Sequence, residues 1–197
     1  MNDDVDLATQ RQRELASTHL RTWRAIPAVL LDRHLDVVAS NQLARALSGS
    51  FEVGINLARF TFLEPNIERS GTSFCAAATQ IAGMLNDSLA QHDGDSEFRE
   101  IVGELSAKSH TFSEVWAKES IGAQVTGTAG FTDTRIGAIS LGYSLVRIPE
   151  DTEDVLLVFC ATDDRAQARL AELITLIASD PAADTGADIG AERDGAG

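Results

Sequence analysis

Cysteine, lysine, proline and tyrosine are scarce in this chain, and each scarcity narrows what the protein can be. Its 197 residues hold two cysteines, four prolines and one tyrosine. Cys75 and Cys160 stand far apart, outside any CxxC pair and with no histidine at metal-ligand spacing, which argues against a disulfide scaffold and a structural zinc site. Their apolar sequence neighbours predict two buried thiols in a reducing compartment. No apolar run approaches the length of a membrane-spanning helix. The opening Met1-Asn2-Asp3-Asp4 is acidic and has no apolar stretch behind it, so no secretory signal is read and a cytoplasmic location is expected. Lysine is confined to Lys108 and Lys118 beside many arginines and alanines, a bias of high-GC coding that carries no information about activity. The glycines Gly49, Gly54, Gly122, Gly127 and Gly130 match neither dinucleotide-binding nor P-loop spacing.

What the chain has in excess is negative charge, 30 acidic against 16 basic residues for a net charge of −14. Such a surface repels phosphate backbones, so no direct nucleic-acid binding is expected. A hydrophobic fraction of 44% is that of a soluble domain with a core of its own. No catalytic constellation stands out. Gly142-Tyr143-Ser144 begins like a nucleophile elbow, but Val146 occupies the position that needs the second glycine, and the surrounding alternation places it in mid-strand. His110 and Glu114 are four apart, as a ligand pair could be, yet an exposed side-chain pair at a helix start is the commoner explanation. His34 falls in a turn and His92 at a helix end, where a cation complements the helix dipole. No two carboxylates share an apolar setting. The expectation is a non-enzyme without cofactor or metal.

Along the chain, residues 1–24 read as a weakly amphipathic N-terminal helix and 25–178 as one domain. Residues 179–197, rich in Asp, Ala and Gly, read as a disordered acidic tail. The domain opens with two short strands, Ile26–Leu31 and Leu35–Ala39, joined by the turn Asp32-Arg33-His34. Asn41 then caps a short helix through Leu47, and a second short helix covers Asn56–Phe62. Three helices follow, over about 66–91, from Asp95/Ser96, and from a capping box at Thr111-Phe112-Ser113-Glu114. The period then changes to that of strands at 123–131, 137–148 and 154–161, before a last helix at 164–178.

The strand patterns rank the strands. Val155-Leu156-Leu157-Val158-Phe159 and Ile26–Leu31 are apolar throughout, as strands buried on both faces are. In 137–148, Ile139, Leu141, Tyr143 and Leu145 alternate with Ala138, Ser140, Gly142 and Ser144. The threonines of 123–131 mark an edge. An antiparallel sheet of order 2-1-5-4-3 satisfies all of these patterns, giving an α+β fold with the helices of 66–118 on one face. The N-terminal helix is expected on the other face, over the small residues Ala138, Ser140, Gly142 and Ser144.

The segment from Leu31 to Leu47, a hairpin running into Asn41 and a small helix, resembles the opening of PAS domains. It is similar above all to the ligand-binding domain of MmyB-like transcription regulators. Five patterns carry that resemblance: Pro27–Leu30, Asp36–Asn41, Asn56-Leu57-Ala58-Arg59-Phe60, Ser109-His110-Thr111-Phe112-Ser113-Glu114-Val115-Trp116, and Gly137-Ala138-Ile139-Ser140-Leu141-Gly142-Tyr143. They occur in order and span about residues 22–178. Phe74 stands where the family has tryptophan, and Thr134-Arg135 where it has histidine-proline. Family members usually carry a helix-turn-helix headpiece ahead of this domain, and the residues before the match are too few to form one.

The resemblance implies a small-molecule sensor domain of a transcription regulator. The other reading is a ligand-free dimerisation or interaction module that modulates a full-length regulator. A PAS-like sheet curling around its short helices leaves a cavity. By period or resemblance, Leu30, Val38, Leu43, Leu47, Leu57, Phe60, Phe112, Trp116, Leu141 and Phe159 are expected to line it. That set carries no charge, so an apolar or amphipathic ligand is expected, such as an acyl chain, with Arg59 or Arg135 near any acidic head group.

Overall fold

Four consecutive apolar residues, Ala28–Leu31, form strand β1, buried at every position. A strand with both faces buried belongs in the middle of a sheet, and β1 pairs on one side with β2 (Val37–Ser40) and on the other with β5 (Val155–Ala161). Strand β5 pairs with β4 (Gly137–Arg147), and β4 with β3 (Thr126–Asp133). Every pairing is antiparallel, and the order β2-β1-β5-β4-β3 is the one read from the strand patterns. This computed structural model describes residues 2–67, 71–92, 94–118, 122–133, 135–147 and 153–179. The expected acidic tail, apart from Ser179, lies outside the described residues.

Among the described residues, seven α-helices accompany the sheet: α1 (Asn2–Thr22), α2 (Gln42–Leu47), α3 (Leu57–Leu63), α4 (Thr72–Gln91), α5 (Ser96–Lys108), α6 (His110–Trp116) and α7 (Asp164–Ser179). Short polar residues start four of them. The side chains of Asn41, Asn56, Asp95 and Ser109 accept the amides of Ala44, Arg59, Glu97 and Phe112, each satisfying one of the donors that a helix leaves open. Two expected boundaries move. Helix α4 starts at Thr72 rather than 66, because Pro65 sits in a turn and Gly71, at φ 100°, ends the linker in a conformation suited to glycine. Ser109, not Thr111, caps α6, which removes the expected capping box and leaves Glu114 paired with His110 on an exposed face.

The main core lies between one face of the sheet and α2–α7. Val29 and Leu31 of β1, Ile139 and Leu141 of β4, and Leu157 and Phe159 of β5 meet Leu43, Leu85, Phe98, Phe112 and Leu173 from the helices. Their alternating neighbours Ala28, Leu30, Leu156 and Val158 point to the other face, where α1 packs. Helix α1 therefore occupies the expected face but not the expected place. It crosses β1 and β2, with Leu20 seated against Ala28, Leu30 and Ala39, while Ala138 and Ser140 of β4 remain exposed. The reason is area: large apolar side chains on the β2–β1–β5 part of this face gain more from cover than the small residues of β4. Arg13 clamps the helix through a two-pronged ion pair with the buried Asp154, at 2.8 and 2.7 Å.

The outer edge of β2 is closed by its own chain. Val37 donates to the Ile55 carbonyl at 2.9 Å and accepts from the Gly54 amide at 2.9 Å. The Leu57 amide reaches the Leu35 carbonyl at 2.8 Å, and Arg45 takes the Ser40 carbonyl at 2.7 Å.

Candidate functional site

The ten residues expected to line a cavity do not form one lining. Leu43, Leu47, Leu57, Phe112, Leu141 and Phe159 are buried in the main core, with Trp116 packed against it. Phe60 is half-buried on α3. Leu30 and Val38 lie across the sheet, under α1. Strand β1 is apolar on both faces, so alternation could not tell Leu30 from Val29, and a register shift between Leu30 and Leu31 turns Val38 outward with it. Between sheet and helices the interior is occupied by aromatic rings in contact. Phe112 stacks on Trp116 at 5.1 Å and meets Phe62 edge-on at 5.0 Å, while Phe159 touches Phe51 at 5.5 Å and Phe131 at 5.3 Å.

Open space is found at the ends of this core. One cleft of about 620 Å³ lies between α4 and the β4–β5 end of the sheet. Leu35, Met84, Val125, Leu145 and Val155 give it apolar surface, the carboxyls of the half-buried Asp32 and the buried Asp154 lie among them, and Arg33, Asp87, His92, Arg147 and Glu153 add a polar and charged rim. Backbone geometry builds the near wall. Asp32 accepts the amides of His34 and Asp36 at 2.9 Å each, which winds the β1–β2 turn so tightly that Leu35 adopts a positive φ of 68° with its side chain buried. The far wall is set by α4, whose Gln80 exchanges two hydrogen bonds with the backbone of Gln124, at 2.8 and 2.9 Å. Asp87 accepts the Ala123 amide at 2.9 Å.

The rim is a connected set of charges. Arg33 bridges Glu153 at 2.9 Å and Asp95 at 3.1 Å. His34, buried against the ring of Phe98, reaches Asp95 at 3.0 Å. His92 donates from Nδ1 to the Ser88 carbonyl at 2.7 Å, turns Nε2 to Glu153, and also stacks on Phe98. Burial pushes the Asp32 carboxyl above its ordinary value. Burial acts the same way on Asp95 and Glu153, but is outweighed by hydrogen bonds and charges from His34 and Arg33, and from Arg33 and His92, which hold both below the usual carboxylate range. A depressed carboxyl contributes stability above its unfolded value and loses it as pH falls through the folded one. Acidification below the ordinary carboxylate range is therefore expected to release Arg33 from both partners. Amide hydrogen exchange at Arg33 and His34 should rise there more steeply than in the centre of β1, and equal protection loss at both places would contradict this.

Arg59 and Arg135, expected beside an acidic head group, are engaged elsewhere, Arg59 with Glu104 at 2.8 Å and Arg135 with Asp133 at 2.7 Å. The rim arginine that sequence reasoning missed is Arg147, whose partner among the described residues is the Gln91 side chain at 3.1 Å. The one signal for it was its place at the end of the alternating strand, where Leu145 points inward two residues earlier.

A second cleft, of about 630 Å³, lies against β3 and β4 between the first turns of α4 and α7. None of the ten expected residues lines either cleft. Both cysteines are exposed, contrary to expectation, because Cys75 sits on the solvent side of α4 and Cys160 beyond the reach of α1 on the outer face of β5. Among the described residues no group of His, Cys, Asp and Glu could hold a metal ion, and no helix is long and apolar enough to cross a membrane.

Comparison with curated proteins returns no match. Comparison with protein families matches residues 13–173 to the MmyB-like transcription regulator ligand binding domain, most of the chain and the whole sheet. The five ordered patterns, the strand order and that match agree: this chain belongs to the MmyB-like transcription regulator ligand binding domain family.

Proposed function

We propose that this PAS-like domain senses a small apolar or amphipathic molecule for a transcription regulator, and that the ligand enters between α4 and the sheet. The observation that carries this reading is the cleft of about 620 Å³, where the apolar side chains of Leu35, Met84, Val125, Leu145 and Val155 lie together beside a set of charged groups. An acyl chain or a flat aromatic body would lie against Met84, Val125 and Leu145, with a polar end at Arg147 or Arg33. Each buried methylene contributes about 0.8 kcal/mol, so six to eight of them would give about 5–6 kcal/mol before association costs. That gross figure corresponds to a dissociation constant of about 40–200 μM at best, with no part for nucleic acid or membrane in the recognition.

Leu145→Trp would fill the cleft from a half-buried strand position. It is expected to weaken a fluorescent fatty-acid probe by about tenfold or more, with Arg147→Ala giving a smaller loss. Unchanged affinity in a folded Leu145→Trp protein would place binding elsewhere. Native mass spectrometry of protein taken from cells supplies the independent check, a retained small molecule.

The second reading, a homodimerising or regulator-binding module, is favoured by apolar side chains left in the open on the α1 side. Leu7 and Leu15 are 55% and 61% exposed, Trp23 and Ile26 follow them, and Val146 is exposed on the outer face of β4. Sedimentation of the intact chain against a Leu7→Glu/Leu15→Glu variant distinguishes the readings, since a dimer through α1 would dissociate.

A further inference from the structure

The cleft between the first turns of α4 and α7 combines features that the sensing site does not use. Arg165 and Arg169 are one helical turn apart on α7 and both line it. Like charges at this spacing repel, and among the described residues neither guanidinium has an ion pair or hydrogen bond, in a chain with almost twice as many acidic as basic residues. Thr72 and Ser73 of α4 also line it, as do Thr128 and Ser140, whose side chains take the outer face of the sheet, and no other described residue engages these hydroxyls. The floor includes Phe131 and Ile139.

Two glycines make room for these groups. A Cβ on Gly130 would come within 2.7 Å of Ser73 Oγ, so its absence lets that hydroxyl settle onto β3. Gly137, at φ 74°, opens β4, and the Arg169 guanidinium lies beside it, 3.7 Å from where a Cβ would stand. One carboxylate, Asp163, is among the lining residues, and it accepts the Ala166 amide at 2.7 Å.

We propose that this cleft binds a small molecule carrying a phosphate group on an apolar or aromatic body. Two guanidinium groups, with the hydroxyls of Thr72 and Ser73 in the same cleft, suit a group with three terminal oxygens and close to two charges better than they suit a planar carboxylate. Phe131 and Ile139 provide the surface on which the body rests. Occupancy would neutralise the Arg165–Arg169 repulsion and join α7 to the β3–β4 hairpin and α4. This site is separate from the sensing cleft and stands or falls without it.

The test is a titration of the isotopically labelled chain with phenyl phosphate at constant ionic strength, followed by amide chemical shifts, with phenol and sodium sulfate as controls. The expected result is a saturable shift centred on Ser73, Thr128, Ser140 and Arg169 with a dissociation constant below about 1 mM. Arg165→Gln/Arg169→Gln, at positions outside the core, should weaken it by about tenfold or more, whereas Arg147→Gln should not. Equal binding of phenol, equal binding of sulfate, shifts that gather at Arg33 and Arg147 instead, absence of saturation, or undiminished affinity in the folded double variant would each overturn the proposal.

Discussion

Replacing Asn41 with alanine is expected to cost about 3–5 kcal/mol of stability, more than most truncations of a polar side chain. The residue is 1% exposed, and both ends of its amide are saturated. Its oxygen accepts the Ala28 amide at 3.2 Å and the Ala44 amide at 2.9 Å, while its nitrogen donates to the carbonyls of Trp23 at 2.9 Å and Ile26 at 2.6 Å. Alanine would leave four backbone groups without partners at the junction of α1, β1 and α2. A buried donor or acceptor that loses its partner costs about 1–3 kcal/mol where water cannot reach it. Part of the sum is recovered by water at the partly buried Trp23 carbonyl. Asn41→Asp should be no better than alanine, because a carboxylate would face two carbonyl oxygens. Urea denaturation monitored by circular dichroism checks both. A loss below about 1 kcal/mol for either, the size of an ordinary exposed cap, would mean that the asparagine is not the junction described here.

The second large effect is expected at Gly83, where a methyl group should destabilise a helix that alanine ordinarily favours. Gly→Ala in a helix interior gains about 1 kcal/mol on propensity alone. Here a Cβ would stand 2.6 Å from the Gly122 carbonyl carbon, 2.7 Å from its oxygen and 2.8 Å from the Ala123 nitrogen. All three are backbone atoms, and Ala123 is fixed to Asp87 on the same helix, so neither side can give cheaply. The net result should be a loss of about 2–4 kcal/mol. Its second consequence concerns the proposed function, because Met84 and Asp87 lie on one side of this contact and Ala123 and Val125 on the other, all lining the cleft between α4 and the sheet. Gly83→Ala should therefore widen the cleft and weaken the fatty-acid probe even in the fraction that remains folded. A neutral or stabilising Gly83→Ala would show that α4 is not seated on the lead into β3.

The strand order was legible because each strand advertises its surroundings: Val155–Phe159 is apolar without interruption, and Ile139, Leu141 and Tyr143 alternate with small residues. The helix cap at Asn41 was legible for a related reason, since the chemistry of a cap is local, whereas Asn56, read as part of its helix, is its cap. The cleft was not legible. Its walls come from Leu35, Met84, Leu145 and Val155, four separated segments whose meeting depends on how α4 docks, and Gly83 and Gly122 announce that docking only once their backbones are seen in contact. The cysteines failed for a similar reason. Apolar neighbours in sequence do not say which face of an element a side chain takes, and both thiols took the uncovered one. The aromatic residues assigned to a cavity wall lie in the interior, where Phe112, Trp116 and Phe159 have other rings against them.

The closed border of β2 decides how this protein can meet another strand. A sheet edge with free amides and carbonyls is a template for intermolecular pairing, in useful association and in aggregation alike. At β2 that template is already taken, since Val37 is paired on its outer side by the 54–55 segment and the Ser40 carbonyl is held by Arg45. The opposite border is β3, where Thr126, Thr128 and Thr132 alternate with residues turned to the core and Gly127 and Gly130 loosen the strand. Growth of the sheet is thus one-sided: an incoming strand, from a second copy or from a partner, can be accepted at β3 and is refused at β2, so assembly by strand addition would stop at pairs and not run on into fibres.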